Sequence, residues 1–225
     1  MINRLELDSV ILEYNSKRIL QDVYLKIETG KVTGILGRNG TGKSSLLRIL
    51  FGEVIPNDKS IRINGKSLGS SYRSPNDLRY LPQNRFIPKS LTVNRIFKDF
   101  KLDFRDFIIH FPDFKKFHKS KLSDLSGGER RIFEIYVILV SQTKFCMLDE
   151  PFSQIMPVHI DVIKNLILRE KENKGILLTD HMYRYVIESS NELYVLQDGK
   201  TNLLQDIKQL ETMGYINAEI NTNGE

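Results

Sequence analysis

The sequence predicts an α/β fold with a mainly parallel sheet, an N-terminal antiparallel β-subdomain and a small helical insertion. Three observations carry that prediction. Short apolar runs at residues 32–36, 78–81, 145–148, 175–179 and 193–196 read as buried strands, and they alternate with segments that carry apolar residues at helical spacing. Such alternation calls for crossover connections, which make neighbouring strands parallel and cover both faces of the sheet. Before residue 30 the pattern differs: residues 4–15 and 23–27 read as strands separated by a turn at Asn15-Ser16-Lys17, with no helix between them. Residues 92–121 differ again, with Phe and Lys at spacings that suit short helices and Pro112 interrupting the pattern.

In chain order, Thr29-Gly30-Lys31 turns the chain into the strand at 32–36. A glycine-rich loop follows, and Ser45-Leu46-Leu47-Arg48-Ile49-Leu50 reads as the start of a helix. Pro56-Asn57-Asp58 is a turn, residues 60–63 are a short strand and Asn64-Gly65 is a second turn. Residues 66–77 are polar and loop-like, and the strand at 78–81 ends at Pro82-Gln83. In the insertion, the basic run from Lys115 to Lys121 reads as a solvated face. Leu125-Ser126-Gly127-Gly128-Glu129 then precedes a strongly apolar helix to Val140. The strand at 145–148 runs into Asp149-Glu150. Residues 157–173 read as a long helix with apolar positions Val158, Val162, Ile163, Leu166 and Ile167. The strand at 175–179 is followed by Asp180-His181. A helix, the strand at 193–196, the turn Asp198-Gly199 and a last helix complete the order, and the tail from Thr212 is polar and frayed.

Composition narrows the classes. Of 225 residues, 27% are charged and 40% hydrophobic, as expected of a water-soluble globular chain. The net charge of +5 and pI near 9.1 suit an anionic ligand, a membrane surface or nucleic acid and select none of them. A single cysteine, Cys146, excludes an intrachain disulfide, sits in an apolar run as a small hydrophobe, and suits a reducing cytoplasm. The first six residues carry charges where a secretory signal needs an apolar core, and the longest apolar run, 135–140, is too short to cross a bilayer. A membrane role would therefore go through a partner.

The loop Gly37-Arg38-Asn39-Gly40-Thr41-Gly42-Lys43-Ser44 carries the chemistry. Between a buried strand and a helix, the pattern G-x-x-x-x-G-K-[ST] is a phosphate cradle and defines a P-loop NTPase core. Its glycines let several N–H groups turn towards one anion, and the helix start, including Ser45, adds unpaired N–H donors and positive dipole. Lys43 reaches the terminal phosphates of a nucleotide, and the Ser44 hydroxyl binds Mg²⁺. Asp149 stands at the C-terminal end of a buried strand, where open α/β sheets bind ligands, and in a cradle protein it holds Mg²⁺ largely through water. Glu150 beside it is a candidate to orient or deprotonate an attacking water.

The order GRNGTGKS, Pro82-Gln83, LSGGE, FCMLDE and TDH resembles the ATP-binding cassette (ABC) ATPases over residues 4–210, and LSGGE is its most specific motif. In motif style the chain is similar to importer-type and lipopolysaccharide-export ATPase subunits. The resemblance implies one domain over 1–225: a nucleotide-binding core (1–90 and 145–210), a helical subdomain (91–144) that carries LSGGE, and a tail (211–225). It implies that Gln83 meets Mg²⁺ and the attacking water and senses a membrane partner. It implies that Ser126, Gly127 and Gly128 bind the γ-phosphate of ATP held by the opposite subunit, and that His181 contacts the γ-phosphate at its own subunit's cradle and helps stabilise the transition state. Tyr14 stands where the family stacks an aromatic on adenine, or is an ordinary strand tyrosine. The cofactors implied are ATP and Mg²⁺. The partners implied are a second ATPase subunit, as a homodimer, and an integral membrane permease, with no nucleic acid, so the chain would lie on the cytoplasmic face of the cell membrane.

Two positions depart from the family. After Asp149-Glu150-Pro151-Phe152-Ser153 the family has a short loop ending in Leu-Asp, where this chain has Gln154-Ile155-Met156-Pro157. That loop couples two ATP sites, so the coupling is in question while the phosphate, metal and water residues are intact. Arg38 adds positive charge beside the phosphates. The rival readings are a non-transport ABC ATPase and a regulatory module that uses ATP as a switch. One cassette without a heptad run argues against the first, and intact Glu150 and His181 against the second.

Overall fold

The computed structural model describes residues 2–15, 17–69 and 74–215. Ser16 of the first expected turn, residues 70–73 of the polar loop and the tail beyond Tyr215 lie outside the described residues. Strands β1 (Arg4–Tyr14) and β2 (Lys17–Glu28) form an antiparallel pair, which β4 (Asp58–Ile63) and the short β5 (Lys66–Ser67) extend into a four-stranded sheet in the order β2-β1-β4-β5. The second sheet has six strands, with β3 (Val32–Leu36) between β9 (Glu192–Gln197) and β8 (Gly175–Thr179), β10 (Lys200–Leu203) outside β9, and β7 (Phe145–Asp149) then β6 (Leu78–Leu81) outside β8. All of its pairings are parallel except that of β10 with β9.

The helices are α1 (Lys43–Phe51), α2 (Val93–Asp99), α3 (Phe104–His110), α4 (Gly127–Val140), α5 (Pro157–Glu170), α6 (Tyr183–Ser189) and α7 (Lys208–Thr212). Two short 3-10 turns, Pro112–Phe117 and Leu122–Asp124, complete the insertion.

The central strands are apolar because both of their faces are buried, and successive side chains serve opposite cores. Cys146 and Leu148 of β7, and Ile176 and Leu178 of β8, enter a core shared with α4, α5 and the insertion. Phe145, Met147 and Leu177 enter the core between the two sheets and α1. In the insertion, Phe97, Phe107, Phe114 and Phe133 meet largely edge to face, with ring centroids 4.7–6.2 Å apart. The lysines of the 115–121 run are exposed, as expected of a solvated face.

Four expectations need correction. Lys66 and Ser67, expected at the start of the polar loop, pair with β4 as β5, because the Asn64-Gly65 turn closes a hairpin. The second strand begins at Lys17, not at residue 23, because β1 and β2 pair along almost their whole length. The chain after Asp198-Gly199 is a strand before it is a helix: both turn residues have positive φ (50° and 77°), which gives a tight hairpin, and β10 is a polar edge strand with no apolar pattern to announce it. The long helix ends at Glu170, and Val158 on it is 68% exposed while Ile160 is buried. At 100° per residue, Val158 lies about 140° from the stripe centred on Ile163, on the outer side of the helix.

Candidate functional site

The C-terminal ends of β3, β6, β7 and β8 lie along one edge of the parallel sheet, and each leads into a predicted site residue. After β3, the cradle loop wraps back to α1. Gly42 caps that helix with φ of 105°, a backbone conformation open to glycine and strained for other residues. Lys43 is buried, and its Nζ donates to the carbonyls of Gly37 at 2.5 Å and Arg38 at 3.2 Å. Burial lowers its pKa, and the carboxylates of Glu150, Asp149 and Asp180 oppose that shift. Thr41 Oγ1 donates to the Arg38 carbonyl at 2.9 Å, closing the loop on itself. A cleft of about 620 Å³ opens here, lined by Tyr14, Asn39, Gly40, Gly42, Lys43, Ser44, Ser45, Gln83, Glu150 and His181, with Ile19 as an added apolar wall.

Asp149, at the end of β7, is 1% exposed. Burial raises its pKa, while hydrogen bonds from Ser44 and from the Tyr80 hydroxyl (3.1 Å) favour the carboxylate. Glu150 follows with φ of 51°, and its N–H donates to the Thr179 carbonyl at 2.8 Å. Its Oε2 is a meeting point: Gln83 Nε2 donates to it at 2.9 Å, Ser153 Oγ at 3.4 Å, and His181 Nδ1 lies 3.5 Å away. Asp180, fully buried, accepts from the N–H groups of Phe152 (2.9 Å) and Met182 (3.0 Å), which ties the turn after Glu150 to the turn that carries His181. Burial raises the Asp180 pKa against those bonds.

The predicted residues fall into two groups. Those of the cradle, with Tyr14, Gln83, Asp149, Glu150 and His181, gather at the sheet edge. Ser126, Gly127 and Gly128 start α4, and Gly127 lines a separate cleft of about 310 Å³ that shares Gln83 and Glu150 with the first. Ser126 Oγ accepts from the Glu129 N–H at 3.3 Å, and the Glu129 carboxylate accepts from the Ser126 N–H at 2.9 Å, a reciprocal helix cap. A Cβ on Gly128 would stand 2.8 Å from the Gln154 carbonyl, so the loop after Glu150 packs directly on this helix start.

Sequence reasoning missed Tyr80, Asp180 and Tyr183, whose hydroxyl donates to the Gly37 carbonyl at 3.2 Å. It also missed Arg131, whose guanidinium reaches three backbone carbonyls of the site. The available signal was a pair of arginines, with Glu134 one turn on, inside a mainly apolar helix, a placement that needs buried partners.

A P-loop fold with this cradle and strand-end carboxylates defines a nucleotide-dependent ATPase. The family model described as ABC transporter matches residues 20–153, and the chain belongs to that family. It is similar to the lipopolysaccharide export system ATP-binding protein LptB of Haemophilus influenzae, 31% identical over 209 residues, 86% of each chain. It is also similar to a probable branched-chain amino acid transport ATP-binding protein, LivF, of Archaeoglobus fulgidus, 31% identical over 201 residues, 83% of this chain and 85% of the relative. Among solved structures, an ATP-binding subunit of an ABC transporter shares the fold with TM-score 0.77 at 22% identity, over 95% of each chain. A bacterial Atm1-family ABC exporter with ATP bound gives TM-score 0.82 at 18% identity, over all of this chain and 43% of that one. The chain is thus an ATP-binding ATPase subunit of the ABC transporter class.

Proposed function

We propose that two copies of this chain close around two ATP molecules and drive a separate membrane permease. Each ATP would lie between one copy's cradle and the other copy's Ser126-Gly127-Gly128. The observation that carries the reading is the Glu150 carboxylate, held between Gln83 and His181 at the mouth of the cradle cleft. Lys43 would leave its own loop carbonyls for the terminal phosphates. Glu150 would take the proton of the attacking water, and Gln83 would orient that water. His181 would donate to the γ-phosphate, and Tyr14, exposed at the cleft rim, would face the base.

Ser44 and Asp149 fit Mg²⁺: a hydroxyl and a buried carboxylate, already hydrogen-bonded together, are the hard oxygen donors that this ion takes alongside phosphate oxygens. When bound, the ion supplies charge neutralisation at the phosphates.

An apolar cleft of about 330 Å³ between the core and the insertion, lined by Phe51, Leu78, Pro82, Phe86, Phe100 and Ile138, supports a permease contact next to Gln83. The division into core (1–90, 145–210), helical subdomain (91–144) and tail (211–225) belongs to the same proposal, as does a place on the inner face of the membrane. No helix among the described residues is long and apolar enough to cross a membrane.

The uncharged loop Gln154-Ile155-Met156 favours a second reading, an ATP-dependent switch with little turnover. Glu150→Gln tests the proposal. The variant should bind ATP, lose nearly all hydrolysis and elute as an ATP-dependent dimer on size exclusion. A monomer at saturating ATP would sink the sandwich. Hydrolysis at the wild-type rate would remove Glu150 from the chemistry.

A further inference from the structure

We propose that Arg131 is a positioning residue for hydrolysis: its guanidinium clamps the main chain on both sides of the Gln83–Glu150 contact and fixes that contact to α4. The inference rests on the site reading above and assigns a role to a residue outside the cradle and the strand-end carboxylates.

Arg131 is 6% exposed. Its Nη1 donates to the Pro82 carbonyl at 2.8 Å, and its Nη2 donates to the carbonyls of Asp149 at 2.8 Å and Glu150 at 3.3 Å. Pro82 immediately precedes Gln83. One planar group therefore holds the backbone on which Gln83 is mounted and the backbone on which Glu150 is mounted, and the two side chains meet at 2.9 Å.

The planar fork of arginine suits this task. It presents several donors in fixed directions, so carbonyls from two separate segments are held in one geometry. A lysine ammonium in the same place has freely turning donors on a flexible stem. The clamp has something to hold, because Glu150 has a left-handed φ of 51°, a conformation that costs energy outside glycine and persists only when its surroundings determine it. Besides its own N–H bond to Thr179, the peptide after Glu150 is held by Arg131.

The guanidinium is itself anchored. Glu134, one turn on along α4 and fully buried, lies 3.7 Å from Arg131 Nη1 and 3.1 Å from Arg130 Nε, and Arg130 also donates to the Ile87 carbonyl. The loop from Pro82 to Ile87 is thus tied at both ends to α4, the helix whose N-terminus is Ser126-Gly127-Gly128. Movement of that helix start would be carried to Gln83 and Glu150 through this pair of arginines.

The test uses the full chain with Arg131→Ala, Arg131→Lys and Arg131→Gln. Catalysis here depends on placement, so kcat should fall about 10- to 100-fold in Arg131→Ala. KM for ATP and the binding of a fluorescent ATP analogue should change by less than about threefold, because no cradle residue is touched. Arg131→Lys should recover little of the rate. In a double-mutant cycle with Gln83→Ala, the second substitution should add at most about threefold, since both act on one arrangement.

Guanidinium ion at millimolar concentration should restore part of the rate to Arg131→Ala, because the site opens onto the 310 Å³ cleft that Arg131 lines. A structural role alone would lower thermal stability without that rescue and without the split between kcat and KM. A folded Arg131→Ala with kcat within twofold of wild type overturns the proposal, as does a loss multiplicative with that of Gln83→Ala. If Arg131→Ala does not fold, Arg131→Gln and Arg131→Lys decide by the same two readings. Glu150→Gln, run alongside, separates the layers. If it hydrolyses normally, the site reading fails. If it is inactive while Arg131→Ala is fully active, only the clamp fails.

Discussion

Lys174→Met should destabilise the protein by about 3 kcal/mol. Lys174 is 2% exposed, in the turn between α5 and β8. Its Nζ donates to the carbonyls of Leu139 (2.6 Å) and Ser141 (2.8 Å) and lies 3.1 Å from Glu170 Oε2. The carbonyls belong to the C-terminal end of α4, where the helix supplies no N–H partner and the dipole favours a cation. Methionine keeps most of the stem and removes the charge. Two charge-assisted bonds are worth about 1.5–3 kcal/mol each, or roughly 3–6 together. Relief from burying an ammonium returns part of that, and Glu170 keeps Arg169 at 3.1 Å. The lower end of the range follows.

For a chain of this size the loss is about 6–12 °C in Tm. Thermal unfolding and urea midpoints measure it. Arg48→Ala is the control, because that arginine pairs with Glu53 at the surface with both side chains 48% exposed, and it should cost under about 1 kcal/mol. Adding Glu170→Gln to Lys174→Met should recover about 1 kcal/mol, since it removes a carboxylate that has lost its buried lysine and keeps only the half-exposed Arg169. A loss below about 1 kcal/mol for Lys174→Met, or strict additivity of the pair, would refute the reasoning.

Two further outcomes follow from named groups. Burial alone would raise the Glu28 pKa, but Lys31, Lys26 and Arg4 outweigh it and hold the carboxyl at about 2 against its usual 4.5. The folded pKa is depressed, so this stability is complete above pH 4.5 and lost as pH falls towards 2. Glu28→Gln should cost about 1–2 kcal/mol at pH 7, discounted because Arg4 and Lys31 are partly exposed, and a difference unchanged between pH 7 and pH 3 would contradict the assignment. Met156→Asp should raise the ATPase rate or its cooperativity with little change in nucleotide affinity; an unchanged rate and Hill coefficient would mean that the loop works without a charge. Met156 is also the uncapped N-cap of α5, so the same variant should gain roughly 1 kcal/mol in thermal stability from a new cap.

What could be read from the sequence was whatever a short stretch settles by itself. The cradle, the strand ends at Asp149 and Thr179 and the insertion are local patterns of glycine, apolar and polar residues. β10 was hidden because Lys200-Thr201-Asn202-Leu203 is an edge strand, held by backbone pairing with β9 and by Thr201 bonding to Tyr24. Val158 misled because an apolar residue in the first turn of a helix fits the composition of a stripe without lying on it. Tyr80, Asp180 and Arg131 each also reach a partner 18 to 69 residues away, and no local pattern announces such a contact. The motif picks out Lys43, but its place at the start of α1 and its bonds to the Gly37 and Arg38 carbonyls are visible only in three dimensions.

The uncharged loop takes on a different meaning once its neighbours are seen. Gln154 has φ of 64°, and its carbonyl occupies the space that a side chain on Gly128 would need. The Gly127 side of the same helix start is covered by the Arg85 guanidinium, whose Nη2 lies 2.6 Å from where a Cβ would be. The loop after Glu150 is therefore seated on α4 by main-chain packing, and α4 in turn holds the Glu150 carbonyl through Arg131. Charge at position 156 is not needed to keep the loop in register with its own subunit. What it would add is a contact reaching away from the exposed Met156, towards whatever faces that surface. Hence Met156→Asp is expected to act on coupling between sites and leave the site's internal geometry intact, whereas Gly128→Ala would displace the Gln154 carbonyl and disturb both.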